Sequence, residues 1–195
     1  MKVKTVNKRV IWGVLALPGL LFLAIPLSLG MWGEKTWKTL LIHSGFITLS
    51  MLVFSLLLTP LSRMFSRLYI FKVLSRFRRE IGLSVFLYVC IHLFSYLMRS
   101  IEKRGWVDPK YIFHPVIFPG VCAFLILFFL ALTSNNWSVK KLGYQKWKRL
   151  HSLIYVGEVG VFIHVVQKSV FYACIIILPL VFLQLLNGFS SRRLR

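Results

Sequence analysis

Six apolar stretches follow one another along the chain, at about 10–30, 40–60, 81–98, 116–133, 150–167 and 169–187, with basic polar segments between them. Each approaches the ~20 residues that an α-helix, rising ~1.5 Å per residue, needs to cross a ~30 Å hydrocarbon layer. The pattern predicts an all-α membrane protein, a six-helix bundle forming a single transmembrane domain over 1–195. The longest segments between stretches, 61–80, 99–115 and 134–149, are too short to fold on their own, since unaided domains rarely fall below ~40 residues. Pro60 is expected to end the second helix after Thr59, because proline lacks the backbone donor and disfavours helix before it. Ser134-Asn135-Asn136 should break the fourth. Pro18 and Pro26 in the first stretch and Pro179 in the last read as kinks, tolerated where neighbouring helices satisfy the freed carbonyls. The first stretch follows Lys2, Lys4, Lys8 and Arg9, as a signal peptide would, but it is longer than an h-region and no A-x-A site follows. An uncleaved helix is expected. No internal repeat supports an inverted-repeat transporter.

Composition agrees: the chain is 57% hydrophobic with a mean hydropathy of +0.74, too apolar for a soluble domain. A net charge of +20 would suit nucleic acid, but its placement argues for a membrane instead. With the N-terminus inside, the inner segments hold Lys2, Lys4, Lys8, Arg9, Arg63, Arg67, Lys72, Arg76, Arg78, Arg79, Lys140, Lys141, Lys146, Lys148, Arg149, Arg192, Arg193 and Arg195. The outer segments hold Lys35, Lys38, Arg99, Lys103, Arg104, Lys110 and Lys168. Eighteen against seven is a positive-inside pattern that puts both termini in the cytoplasm, and a basic inner face suits anionic lipid headgroups. All six tryptophans fall at or near stretch ends, where an interfacial aromatic belt would place them. Cys90, Cys122 and Cys174 are scattered singly and read as structural thiols.

Three histidines, His92, His151 and His164, lie in or at the ends of apolar helices, where imidazole is costly and usually marks function. His92 lies 12 residues beyond Glu80 and His164 lies 13 beyond His151, with both helices running from inside to outside. The rises, roughly 18 and 20 Å, put His92 and His164 at matching depth. Two imidazoles so placed can hold a haem iron from both sides; the competing reading is two unrelated side chains, each bonded to a nearby carbonyl. His151 lies nearer the cytoplasm, where a second haem could sit. The residues opposite it by the same count are Arg78 and Arg79, poor ligands but good partners for propionates. Thirteen ideal helical steps put His151 and His164 about 140° apart, so both can face one partner only if the helix distorts near Gly157 and Gly160 or begins after His151. His43 reads as a contact to a haem edge or quinone, or as a plain interfacial residue; His114-Pro115 reads as a loop feature. Glu158 is a functional candidate, or simply protonated and hydrogen-bonded. No glycine-rich dinucleotide fingerprint and no P-loop occur, so soluble cofactor chemistry must come from a partner.

The runs TPLSR (59–63), RREIG (78–82), LTS (132–134) and KLGYQKWKRLHSLIY (141–155), with the helix bearing His92 and with His164, resemble the MsrQ/YedZ family. That family comprises the membrane subunits of the periplasmic methionine-sulfoxide reductase system, within the ferric-reductase-like transmembrane group. The resemblance spans about 59–167, and Trp147-x-x-x-His151 followed by Tyr155 and His164 is its most specific part. It implies haem b, one or two, with the ligand histidines falling on His92, His151 and His164. It implies an electron-transfer subunit of an oxidoreductase system rather than a complete enzyme, with no catalytic residue of its own. The implied setting is the bacterial inner membrane. The implied partners are a cytosolic flavin reductase or the quinone pool as donor, and a periplasmic molybdopterin enzyme that repairs methionine sulfoxide in envelope proteins as acceptor. FMN binding is also implied, at no residue that can be named. Ferric reductases at large use four histidines, and Arg78 stands where the fourth would be. The competing classes are a self-sufficient quinol-linked metal or quinone reductase and a cofactor-free assembly or transport protein.

Overall fold

The computed structural model describes residues 8–65 and 67–192. The termini, with Lys2, Lys4, Arg193 and Arg195 of the inner basic set, lie outside the described residues. No strand occurs among the described residues. The chain forms two compact units, one up to Val107 and one from Asp108.

The first unit holds α1 (Lys8–Ser28), α2 (Glu34–Met64), α3 (Tyr69–Ser75) and α4 (Arg78–Arg104). α4 packs mainly against α2 and then against α1. The buried stripe of α4 includes Ile81, Ser84, Val85, Tyr88, Ile91 and Ser95, a spacing of three and four that keeps one helix face inward. Facing it, α2 buries Trp37, Leu40, Ser44, Leu49, Leu52 and Leu56. Small buried serines on both helices allow close approach, as in membrane bundles generally. α1 leaves Val10, Val14, Leu17, Leu21 and Ile25 exposed along one side, which in a bilayer is the lipid side. The Arg99–Glu34 ion pair (3.2 Å) ties the C-terminal end of α4 to the start of α2. Glu34 is exposed and Arg99 partly so, so the pair contributes little.

The second unit begins with a 3₁₀ turn (Pro109–Phe113) and continues through α5 (Phe118–Leu132), α6 (Asn136–Leu142), α7 (Tyr144–His151), α8 (Ile154–Val166), the single turn α9 (Val170–Tyr172), a π-helical stretch (Ala173–Ile177) and α10 (Leu178–Arg192). α5 and α8 pack closely. A Cβ on Gly160 would lie 3.0 Å from Pro119 O and one on Gly157 3.3 Å from Ile126, so both glycines serve that approach.

Among the described residues, four helices are long and apolar enough to cross a membrane: Val10–Ser28, Glu34–Met64, Arg78–Arg104 and Tyr144–Val166. α5 and α6 make a fifth only as one span bent by 89° at the break. The Ser134-Asn135-Asn136 break is as expected, with Asn135 Oδ1 capping α6 by accepting from Ser138 N (2.7 Å). Val170–Leu185 is apolar but shorter than a span, and Pro179 sits at the start of α10 directly after the π-helical stretch. Proline has no N–H for the helical ladder, and the wide turn falls just N-terminal to it.

Two expectations are corrected. Pro60 does not end α2, which runs on to Met64 with Pro60 buried inside it. Proline's fixed φ is itself helical, so what is lost is one backbone bond and not the helix. Trp37 is not a belt residue: it is 1% exposed and packs edge-on against Phe94 of α4 at 5.7 Å.

Candidate functional site

Each of the two deep histidines is held by its own unit in the same way. His92, half-buried on α4, has its Nδ1 2.9 Å from Leu41 O of α2. His164, half-buried on α8, has its Nδ1 2.6 Å from Val116 O, just before α5. A carbonyl can only accept, so Nδ1 carries the proton in both rings and the lone pair lies on Nε2. Four residues after each accepting carbonyl stands a glycine. In a helix the side chain at i+4 overhangs the carbonyl of residue i, so glycine there uncovers it to a second donor. A Cβ on Gly45 would come within 2.8 Å of His92 Cε1 and 2.9 Å of its Nδ1. On Gly120 it would lie 3.0 Å from His164 Nδ1. Tyr88, one turn before His92, repeats the device on α1: its hydroxyl donates to Leu15 O (3.2 Å), and a Cβ on Gly19 would meet its ring at 2.7 Å.

This arrangement fits a haem ligand. Ligating imidazoles nearly always donate their other ring N–H to a carbonyl or carboxylate, which fixes tautomer and ring plane and raises the basicity of the ligating nitrogen. The expected alternative, a histidine bonded to a nearby carbonyl, is thus part of the same geometry. Gly45 and Gly120, which leave the ring positions clear, were not singled out in the sequence. Their signal is a glycine inside an apolar run, four residues after the helix position that faces a histidine.

His151 is held differently. Its Nε2 lies 3.1 Å from Thr133 Oγ1, and its ring packs on Trp147 with centroids 4.1 Å apart. Trp147 Nε1 donates to Thr133 O (2.9 Å), so Thr133 anchors both. The angular separation of His151 and His164 is narrowed by the second of the two expected routes: α7 ends at His151 and α8 starts at Ile154. Across the join, Leu153, Tyr155 and Val156 each donate to the carbonyl three residues back. A 3₁₀ step turns ~120° instead of ~100°, so about three of them narrow the ~140° separation to about 80°.

Arg78, half-buried at the start of α4, donates from Nη1 to Thr59 Oγ1 of α2 (2.7 Å). Two resemblance runs far apart in sequence, TPLSR and RREIG, therefore meet through that bond. In the other unit LTS meets the Trp147–His151 run through Thr133. Thr59 and Thr133 escaped sequence reasoning because a threonine at a helix end is ordinarily just a cap.

The remaining candidates are local. His43 donates from Nδ1 to Thr39 O of its own helix (2.8 Å) and lies edge-on to Phe22. His114 is exposed in its loop, accepts from Val116 N (3.3 Å) and stacks on Tyr111. Glu158 is buried and hydrogen-bonded: both its carboxylate oxygens accept from Gln184 Nε2 of α10, at 3.3 and 3.2 Å. Among the described residues no three His, Cys, Asp or Glu side chains gather into a multi-ligand metal cluster.

Residues 44–162 match the family described as ferric reductase like transmembrane component, a stretch that includes Arg78, His92 and His151 and stops two residues short of His164. The chain is 33% identical over 159 residues to the protein-methionine-sulfoxide reductase heme-binding subunit MsrQ of Yersinia enterocolitica, covering 80% of this chain and 77% of that protein. It is equally similar to the protein of the same name from Yersinia pseudotuberculosis, covering 75% of it. No solved structure matches. The two imidazole cradles lie on the helices that these matches span or adjoin, and the chain belongs to the MsrQ family of ferric-reductase-like transmembrane proteins.

Proposed function

We propose that the chain is a b-type haem membrane subunit that carries electrons across the bacterial inner membrane. Its donor is a cytosolic flavin reductase or quinol, and its acceptor a periplasmic molybdopterin methionine-sulfoxide reductase that repairs oxidised envelope proteins. The observation that carries the reading is the repeated cradle, in which His92 and His164 each donate Nδ1–H to a carbonyl uncovered by a glycine. The name of its relatives, the heme-binding subunit of a protein-methionine-sulfoxide reductase, supports the same reading.

His92 and His164 would hold the haem iron; in sequence they lie 12 residues beyond Glu80 and 13 beyond His151. When bound, haem supplies a one-electron couple whose potential depends on its axial ligands and their hydrogen bonds. The carbonyls of Leu41 and Val116 hold the Nδ1 protons and so orient both rings. The whole chain acts as one haem-binding domain. The test is the absorption spectrum of detergent-purified protein before and after dithionite. A Soret band with the sharp α and β bands of a low-spin b-type haem is expected; a colourless protein with native helix content overturns the proposal.

His151 serves a second haem or an FMN near the cytoplasmic face. Arg78 supplies a guanidinium for an anionic group there and is positioned by Thr59. His151→Ala and Arg78→Ala are each expected to lower total cofactor content or cytosol-side reduction while sparing the outer haem signal. Full stoichiometry and normal kinetics in both remove the inner site.

Six crossings with both termini inside complete the reading, the two short apolar helices being crossings as well. Eighteen basic residues against seven support it. In a cysteine-free background, Ile70→Cys should react with an impermeant maleimide only after the membrane is opened. Labelling of intact cells from outside reverses the topology.

A further inference from the structure

The first unit contains a partly open cavity of about 420 Å³ that the haem reading leaves unused. Its walls come from α1 (Ile11, Leu15), α2 (Met51, Phe54) and the α3–α4 corner (Leu74, Phe77), and Ser50 is its one polar lining residue. It lies where the start of α1 and the start of α4 face the middle of α2. Its size is that of a ligand site, but a quinone or other polar ring buried there would find almost nothing to hydrogen-bond its oxygens. A hydrocarbon chain needs no partner and gains from the burial.

The charge beside the cavity says what the chain is attached to. In sequence the wall residues Leu74 and Phe77 alternate with Lys72 and Arg76, both exposed, and Arg63 and Arg67 at the end of α2 and after it are exposed too. The only acidic residue between 61 and 80 is Glu80, which is buried. Met64, Phe65, Leu68, Tyr69 and Ile70 are exposed apolar side chains on the same stretch. Basic and apolar exposed residues on one short helix and its flanks describe a segment lying in the headgroup region.

We propose that this cavity is a specific site for an anionic phospholipid, one acyl chain seated between α1, α2 and α3 and the phosphate held by Lys72 and Arg76. Each cation near an anionic headgroup contributes about a fivefold preference. The probe is phosphatidylglycerol, compared with phosphatidylcholine of the same acyl chains, titrated onto the detergent-purified full chain and counted by native mass spectrometry. Wild type should bind the first phosphatidylglycerol about tenfold or more in preference to phosphatidylcholine. Lys72→Gln with Arg76→Gln should bring the two lipids level, with haem content unchanged. Ser50→Phe, which fills the cavity and leaves the charges, should lower binding of both lipids. Equal binding in wild type, a preference that survives the double substitution, or unaltered binding in Ser50→Phe each overturns the site, as does a co-purified quinone displaced by Ser50→Phe.

Discussion

His92→Ala and His164→Ala are each expected to remove most of the Soret band of the purified protein and its dithionite response, while far-UV circular dichroism stays helical. The expectation rests on the chemistry of the ring nitrogens. In both residues Nδ1 is committed to a carbonyl, so the lone pair is on Nε2, the state in which imidazole ligates iron. If the two imidazoles hold the haem as proposed, alanine offers no donor atom in place of either, and a haem that no C-x-x-C-H motif attaches covalently would be free to leave. The cost to the fold is smaller. Each substitution forfeits one neutral hydrogen bond, worth about 0.5–1.5 kcal/mol, and Leu41 O still accepts from Ser44 Oγ. Loss of haem with retained helix content separates ligation from folding. Full haem retention in both variants sinks the assignment.

How much of this was legible in the sequence differs from residue to residue. The three candidate histidines stood out, because an imidazole in an apolar stretch has few cheap explanations, and helix rise alone compares depths. The long helices α1, α2 and α4 did too, since twenty apolar residues leave few alternatives in water. The ends stood out less. Pro60 looked like a terminator, and the helix passed through it, because a proline's local penalty is weighed against the burial of its neighbours, which sequence does not show. The 89° bend after α5 was visible only as a break, at which Asn135 caps α6. The interhelical partners were not legible at all. Leu41 O and Val116 O are backbone atoms, identical in chemistry to every other carbonyl, and only the helix pairing selects them. The resemblance runs marked Thr59 and Thr133 as part of a pattern without giving them a role; the structure gives each a hydrogen bond to Arg78 or to His151.

The glycines carry the second large expectation. Gly45→Ala should lower haem affinity more than Gly120→Ala, and both should do so without touching a ligand. A Cβ at 45 would sit 2.8 Å from His92 Cε1, closer than atoms tolerate, so the His92 ring has to move off Leu41 O. A Cβ at 120 would sit 3.0 Å from His164 Nδ1, a distance the ring can relieve by a shift of a few tenths of an ångström. Alanine also favours helix over glycine by about 1 kcal/mol, so neither substitution should weaken α2 or α5 as such. The effect therefore appears in the haem and not in the helix. Disturbing an outer-shell partner of a metal ligand commonly costs about 10–100-fold in affinity, and Gly45→Ala is expected in that range, with the midpoint potential displaced as the imidazole loses its orienting bond. Haem titration of apo-protein reads the affinity, and potentiometry of the retained haem reads the potential. A Gly45→Ala protein with wild-type affinity and potential shows that the His92–Leu41 bond does not govern ligation, and an effect larger at 120 than at 45 reverses the ordering that the two distances impose.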